Sequence, residues 1–156
     1  MSDFAYLGDC PLFRDLTLEQ RAAVYAISDF VEYEAGATIF SEGELSDYLF
    51  VVCEGAVRIS LETAGDGEEA LAICEPGDSF GELDFLDAAA AARSATAIAH
   101  STCGLARFSR RALTELSERE PALGYRIARN AIAELGQRIR RTNQKVRFFA
   151  HANLFA

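Results

Sequence analysis

Arg93 is the only cation between Arg58 and Arg107, and a hydroxyl-bearing residue, Ser94, follows it directly, ahead of Ala95. Eleven residues before Arg93 stands Glu82, inside the run Gly77-Asp78-Ser79-Phe80-Gly81-Glu82-Leu83. These residue types suit a small ligand that carries both sugar hydroxyls and a phosphate. A guanidinium grips phosphate oxygens as a bidentate fork, and a serine hydroxyl can add another bond. An ionised carboxylate only accepts hydrogen bonds, so Glu82 suits a sugar hydroxyl rather than a phosphate. Gly81 lets backbone approach a ligand closely. Backbone N–H groups of a helix starting after Glu82 would point at an anion.

The elements that must position these residues are legible from periodicity. Residues 17–29 read as a helix, with Thr17 as cap, Glu19 and Gln20 in its first turn, and Leu18, Ala22, Val24, Tyr25 and Ile27 as its apolar face. From about Phe30 to Ser109 the pattern changes to short strand-like runs: Ala37–Phe40, Tyr48–Cys53, Ala56–Leu61, Ala70–Cys74, Ser94–Ala99 and Cys103–Phe108. Turn signals separate them at Glu42-Gly43, Gly65-Asp66-Gly67 and Pro76-Gly77-Asp78. Strands at this spacing fit a sandwich or a jelly roll. After Ser109 the period is helical: a short helix over Arg110–Glu118, then a long one opened by Pro121 and running to about Phe149. Leu123, Ile127, Ala131, Leu135, Ile139, Thr142, Val146 and Phe149 recur along it at three- and four-residue steps, a stripe fit to pack on the barrel or on a twin helix.

Composition removes several functions. The 156 residues, 50% of them apolar, predict one domain spanning 1–156 with an ordinary core. No apolar run approaches a membrane span, and the start Met-Ser-Asp-Phe does not resemble a signal peptide, so a cytoplasmic protein without membrane contact is expected. Cys10, Cys53, Cys74 and Cys103 are scattered, and Cys53 and Cys74 read as small core residues. His100 and His151 are isolated, without partners at metal-ligand spacing, and no nucleophile–base pair is apparent. The expectation is a protein with no metal that is not an enzyme. A net charge of −9 argues against specific nucleic-acid binding. The charge is uneven, since residues 126–147 hold seven Lys/Arg and one acid, which leaves +6 there and −15 elsewhere. That segment is either a solvated helix face or a surface that docks on an acidic partner.

The stretch from Gly77 to Ala95 resembles the phosphate-binding cassette of the cyclic nucleotide-binding domain family. Pro11-Leu12-Phe13 and Leu16-Thr17 resemble that family's opening helix, and Gly36, Glu42-Gly43, the strand Asp47–Val52 and Glu54-Gly55-Ala56-Val57 resemble its barrel turns. The resemblance implies an α+β fold: an antiparallel jelly-roll β-barrel (30–109), flanked by N-terminal helices (1–29) and C-terminal helices (110–149). It implies cyclic AMP or cyclic GMP as ligand, with Glu82 on the ribose 2′-hydroxyl, Arg93 on the phosphate, Ser94 beside it, and Phe80, Gly81, Leu83 and Ala95 completing the cassette. Ile59 and Leu71, expected to face inward, would line the base pocket. Thr142-Asn143-Gln144-Lys145-Val146 resembles the helix run with which the catabolite activator branch of the family meets the base across a dimer. Asp84 departs from the pattern, standing where a small neutral residue is usual. The alanine-rich segment 87–92 departs too, lacking the family's proline. Only 148–156 follows the long helix, so no DNA-reading head is expected. The implied function is a stand-alone cyclic nucleotide receptor, a homodimer through helix 121–149, that moves this helix on binding and signals to an unidentified effector protein. The alternative is a jelly-roll interaction module that has lost its nucleotide.

Overall fold

The chain is described here from a computed structural model that covers residues 5–45, 47–65, 67–81 and 92–154, with no side-chain description for Leu154. Thr17 caps helix α2 (Leu18–Ala26) in a reciprocal capping box: its hydroxyl accepts from Gln20 N at 3.1 Å, and Gln20 Oε1 accepts from Thr17 N at 2.9 Å. Before it lie helix α1 (Ala5–Asp9) and a single 3-10 turn (Pro11–Phe13). The helix expected to reach residue 29 stops at Ala26, because Ser28–Tyr33 forms strand β1 instead. Its six residues pair in unbroken antiparallel register with Cys103–Phe108, a long-range pairing that overrides local propensity.

The remaining strands are β2 (Thr38–Phe40), β3 (Tyr48–Glu54), β4 (Val57–Thr63), β5 (Gly67–Cys74), β6 (Ser79–Phe80), β7 (Thr96–Ala99) and β8 (Cys103–Ser109). Two four-stranded antiparallel sheets result, in the orders β1-β8-β3-β6 and β2-β7-β4-β5. They form the expected antiparallel jelly roll of an α+β fold. Strand β3 explains why the run Leu49-Phe50-Val51-Val52 is apolar throughout. Phe50 and Val52 face the space between the sheets, with Phe40, Val57, Phe80, Ala97 and Leu105. Leu49 and Val51 face the helices, with Leu12, Phe13, Leu113, Leu123 and Ile127. A strand buried on both faces cannot alternate.

Helix α3 (Arg110–Arg119) begins at Ser109, whose hydroxyl accepts from Ala112 N at 3.3 Å. Helix α4 (Pro121–Leu154) is 34 residues long. Gly124 permits its close crossing with α3, since a Cβ there would lie 2.7 Å from the Cβ of Ser117. The apolar stripe expected along α4 divides between two faces. Leu123, Ile127 and Ala131 are buried in the helical core cluster. Ile139 and Val146 of the stripe are exposed instead, and fall in line with Tyr125 and Ile132, which the expected stripe did not include; the four, each seven residues from the next, are all 60–65% exposed. The three- and four-residue steps are common to both faces, so periodicity alone merged them. The helix is anchored to the N-terminal turn by Asn130, a buried side chain whose Nδ2 donates to Leu12 O at 3.0 Å and Arg14 O at 2.9 Å. Among the described residues, no helix is long and apolar enough to cross a membrane.

Candidate functional site

The backbone of Arg93 is fixed before its side chain is placed. Its N–H donates to Glu44 O at 2.7 Å, and its carbonyl accepts from Gly43 N at 2.9 Å. Thus the Glu42-Gly43 turn, with Gly43 at φ +88°, holds the approach to β7. The side chain then runs into the barrel, where the residue is only 4% exposed. Its Nη2 donates to Tyr48 O at 2.7 Å, and the guanidinium lies over the Phe40 ring, 4.0 Å from the centroid, with Phe50 at 5.9 Å. Phe80 stacks on Phe50 with centroids 5.1 Å apart and planes 8° apart, and Phe40 lies 5.9 Å from Phe80. A cation this deep is tolerated because aromatic faces and a carbonyl replace part of its water.

Gly81 is bound into the same arrangement. Its φ is +83°, a left-handed conformation that favours glycine, and a Cβ there would sit 2.6 Å from Arg93 Nη1 and 3.2 Å from Tyr48 O. The close approach that the sequence assigns to this glycine is therefore made first by the arginine. Phe80, Gly81 and Arg93 are brought together, with Ala95 buried and Ser94 exposed at the loop's exit. Glu82, Leu83, Asp84 and residues 87–91 of the alanine-rich segment lie outside the described residues.

The base-pocket candidates separate. Ile59 packs against the barrel interior beside Val57 and Ala97. Leu71, expected to face inward, is 42% exposed. The whole edge strand β5 is open: residues 67–73 are all exposed, and within it a bulge pairs Ile59 with Ala72 and Ser60 with Ala70, leaving Leu71 unpaired. Thr142 and Asn143 are exposed on α4, and no contact among the described residues joins them to Arg93. A nearer link had escaped the sequence reading. Arg138 of α4 donates through Nη2 to Ser79 O at 2.9 Å, in the strand that leads into Gly81. Within a run of seven basic residues nothing in the sequence marks this one apart.

A guanidinium buried in a jelly roll, beneath a left-handed glycine at the mouth of a loop, has the charge to receive an anion. The family described as Cyclic nucleotide-binding domain matches residues 30–120, more than half of the chain. The chain belongs to that family. Among relatives, the cyclic nucleotide-binding chain is 33% identical over 130 residues to the Cyclic AMP receptor protein of Thermus thermophilus, covering 83% of this chain and 57% of that protein. It is 34% identical over 116 residues to the cAMP-dependent protein kinase regulatory subunit of Mycosarcoma maydis, covering 71% of this chain and 22% of that one. The crystal structure of Thermus thermophilus Catabolite Activator Protein superposes with a TM-score of 0.77 at 30% identity, over 90% of this chain and 63% of that chain. The domain thus spans little more than half of the receptor and a smaller part of the kinase subunit.

Proposed function

We propose that the chain is a receptor for a 3′,5′-cyclic purine nucleotide, cyclic AMP or cyclic GMP, and that it reports binding through α4. The observation that carries this reading is the buried Arg93 held under Gly81. In it, Arg93 takes the cyclic phosphate and Glu82 the ribose 2′-hydroxyl. Ser94 and the backbone of Gly81, Leu83 and Ala95 complete the anion site, and Phe80 supports it from below. Ile59, with Leu71 at the open edge, meets the base. The names of the relatives, a cyclic AMP receptor and a cAMP-dependent kinase subunit, favour cyclic AMP as the first ligand to try.

The seam on α4 supports a homodimer. Tyr125, Ile132, Ile139 and Val146 occupy the first position of a heptad, and Ala128, Leu135, Thr142 and Phe149 the fourth. In a parallel pair Arg138 meets Asn143 of the other helix and Lys145 meets Ala150, so no two cations face each other. An antiparallel pair would set Arg138 against Lys145. Thr142 and Asn143 then lie at the seam, able to offer a hydroxyl and an amide to a base edge. The Arg138–Ser79 bond couples this helix to the cassette, so that filling the cassette and moving α4 form one linked equilibrium whose output an effector protein reads.

Titration calorimetry with cyclic AMP and cyclic GMP tests the reading. Arg93→Leu removes a charge-assisted bidentate contact, a loss of about 1.5–3 kcal/mol, so affinity should fall at least tenfold. The fold should survive by circular dichroism, with a lowered melting temperature, because Tyr48 O loses its donor and the Phe40 ring its cation. Glu82→Ala should weaken the natural ligand more than its 2′-deoxy analogue. No heat with either nucleotide would leave the interaction-module reading in its place.

A further inference from the structure

Pairing the seam of α4 leaves the opposite side of the helix open, and that side has a composition of its own. At about 100° per residue, Phe148 lies about 180° around the helix from Ile139. It is 70% exposed, and a seam centred on Ile139 and Val146 cannot cover it. Arg141 lies seven residues before it on nearly the same line, and Arg140 and Arg147 lie together about 80–100° to one side of it. No Asp or Glu occurs after Glu134, and no described carboxylate pairs with Arg140, Arg141 or Arg147.

We propose that this outer face, Arg140, Arg141, Arg147 and Phe148, is a docking surface for an acidic segment of a partner protein. The proposal takes the seam as paired, as above, and concerns the side turned away from it. Arginine and aromatic residues are the types enriched in the cores of protein interfaces, where one apolar anchor sits inside a charged surround. A lipid surface fits less well. It would need a continuous apolar face, whereas the apolar surface there is a single aromatic pair, Phe148 and Phe149 with ring centroids 5.8 Å apart, and Phe149 belongs to the seam. Duplex nucleic acid would use the cations but not the phenylalanine, against a domain that is −15 outside residues 126–147. An acidic chain uses all four residues. The guanidinium forks bind carboxylates bidentately, and an apolar side chain of the partner covers Phe148. Because the same helix touches the cassette through Arg138, such a partner would sit on the element that ligand binding displaces.

The test uses the full chain and two labelled 20-residue helical peptides with identical leucine positions, one with glutamate and one with glutamine at its polar positions. Fluorescence anisotropy at ~0.1 M salt should show the glutamate peptide binding at least tenfold more tightly, with affinity falling as salt rises. Joint replacement Arg140→Gln, Arg141→Gln and Arg147→Gln should remove that preference. Phe148→Ser should weaken the glutamate peptide by about five- to tenfold. The arginine variant should sediment as the parent does and bind cyclic nucleotide unchanged, since none of its three residues lies in the cassette or the seam; Phe148→Ser, whose ring meets Phe149 of the seam edge-on, should keep cyclic nucleotide binding. Equal binding of the two peptides, an unaffected Phe148→Ser, or tighter binding to phosphatidylglycerol vesicles or a 20-base-pair duplex than to the glutamate peptide would each overturn the proposal. If the parent chain ignores cyclic nucleotides yet binds the glutamate peptide through these residues, the receptor reading fails and the docking surface stands.

Discussion

The barrel interior and the distal half of α4 both carry arginines beside phenylalanines, and they use them in opposite ways. Arg93 is sealed among Phe40, Phe50 and Phe80, with both its backbone groups and one guanidinium nitrogen committed to fixed partners. Residues 139–153 are exposed without exception. In the first region a charge is positioned once, and the surrounding structure over-determines it. In the second, charges are displayed on a rigid rod whose complement must come from another molecule. The same residue types therefore mean a site in one place and a surface in the other, and burial decides which.

The largest effect should come from placing a matched charge in each region. Val52→Glu buries an unpaired carboxylate between the sheets and should cost more than ~4 kcal/mol, leaving little folded protein by circular dichroism. Ile139→Glu with Val146→Glu should leave the melting temperature nearly unchanged and convert a micromolar dimer to monomer by sedimentation. A folded Val52→Glu protein would break the comparison. Next is the root of the helix. Asn130→Ala strips one buried and one partly buried carbonyl, Leu12 O and Arg14 O, of their donor and should cost about 1–3 kcal/mol by denaturant titration. Gly81→Ala should be milder, about 1 kcal/mol, from a Cβ at positive φ pressed against Arg93, but it should also weaken nucleotide binding. The smallest effect concerns Cys53, which lines a groove of ≈ 690 Å³ beside Tyr6 and Phe30. Burial pushes its thiol up from the usual range. Its thiolate fraction at neutral pH is therefore low, and iodoacetamide should label it slowly at pH 7.5 and faster only as pH rises well above the ordinary thiol range.

The sequence discloses local signals and hides the meetings of distant ones. Thr17 with Gln20 and Pro121 mark helix starts within a few residues, and six strand runs stand within about three residues of their observed ends. Strand β6 is two residues long and has no period to read; only its pairing with Phe50 and Val51 defines it. Likewise, Arg93 and Gly81 stand out as candidate site residues from type and spacing. That Phe40, Phe50 and Phe80 enclose the arginine is not, because strands from both sheets must come together first. The exposure of Leu71 follows from the place of β5 at the open edge of its sheet, which the pattern of that strand alone does not reveal. The two faces of α4 were merged because buried and open stripes share a period.

The attachments of α4 make it a mechanical amplifier. Its hold on the N-terminal turn ends at Glu134, 3.7 Å from Arg14, and its hold on the barrel is at Arg138. Leu154 lies sixteen residues farther on, about 24 Å along a straight helix. A tilt of about 10° at that fulcrum sweeps the tip through about 4 Å, roughly the spacing of two packed side chains. Motion too small to unseat a single core residue at the root is enough, at the far end, to change which residues of a neighbouring molecule the tip can reach.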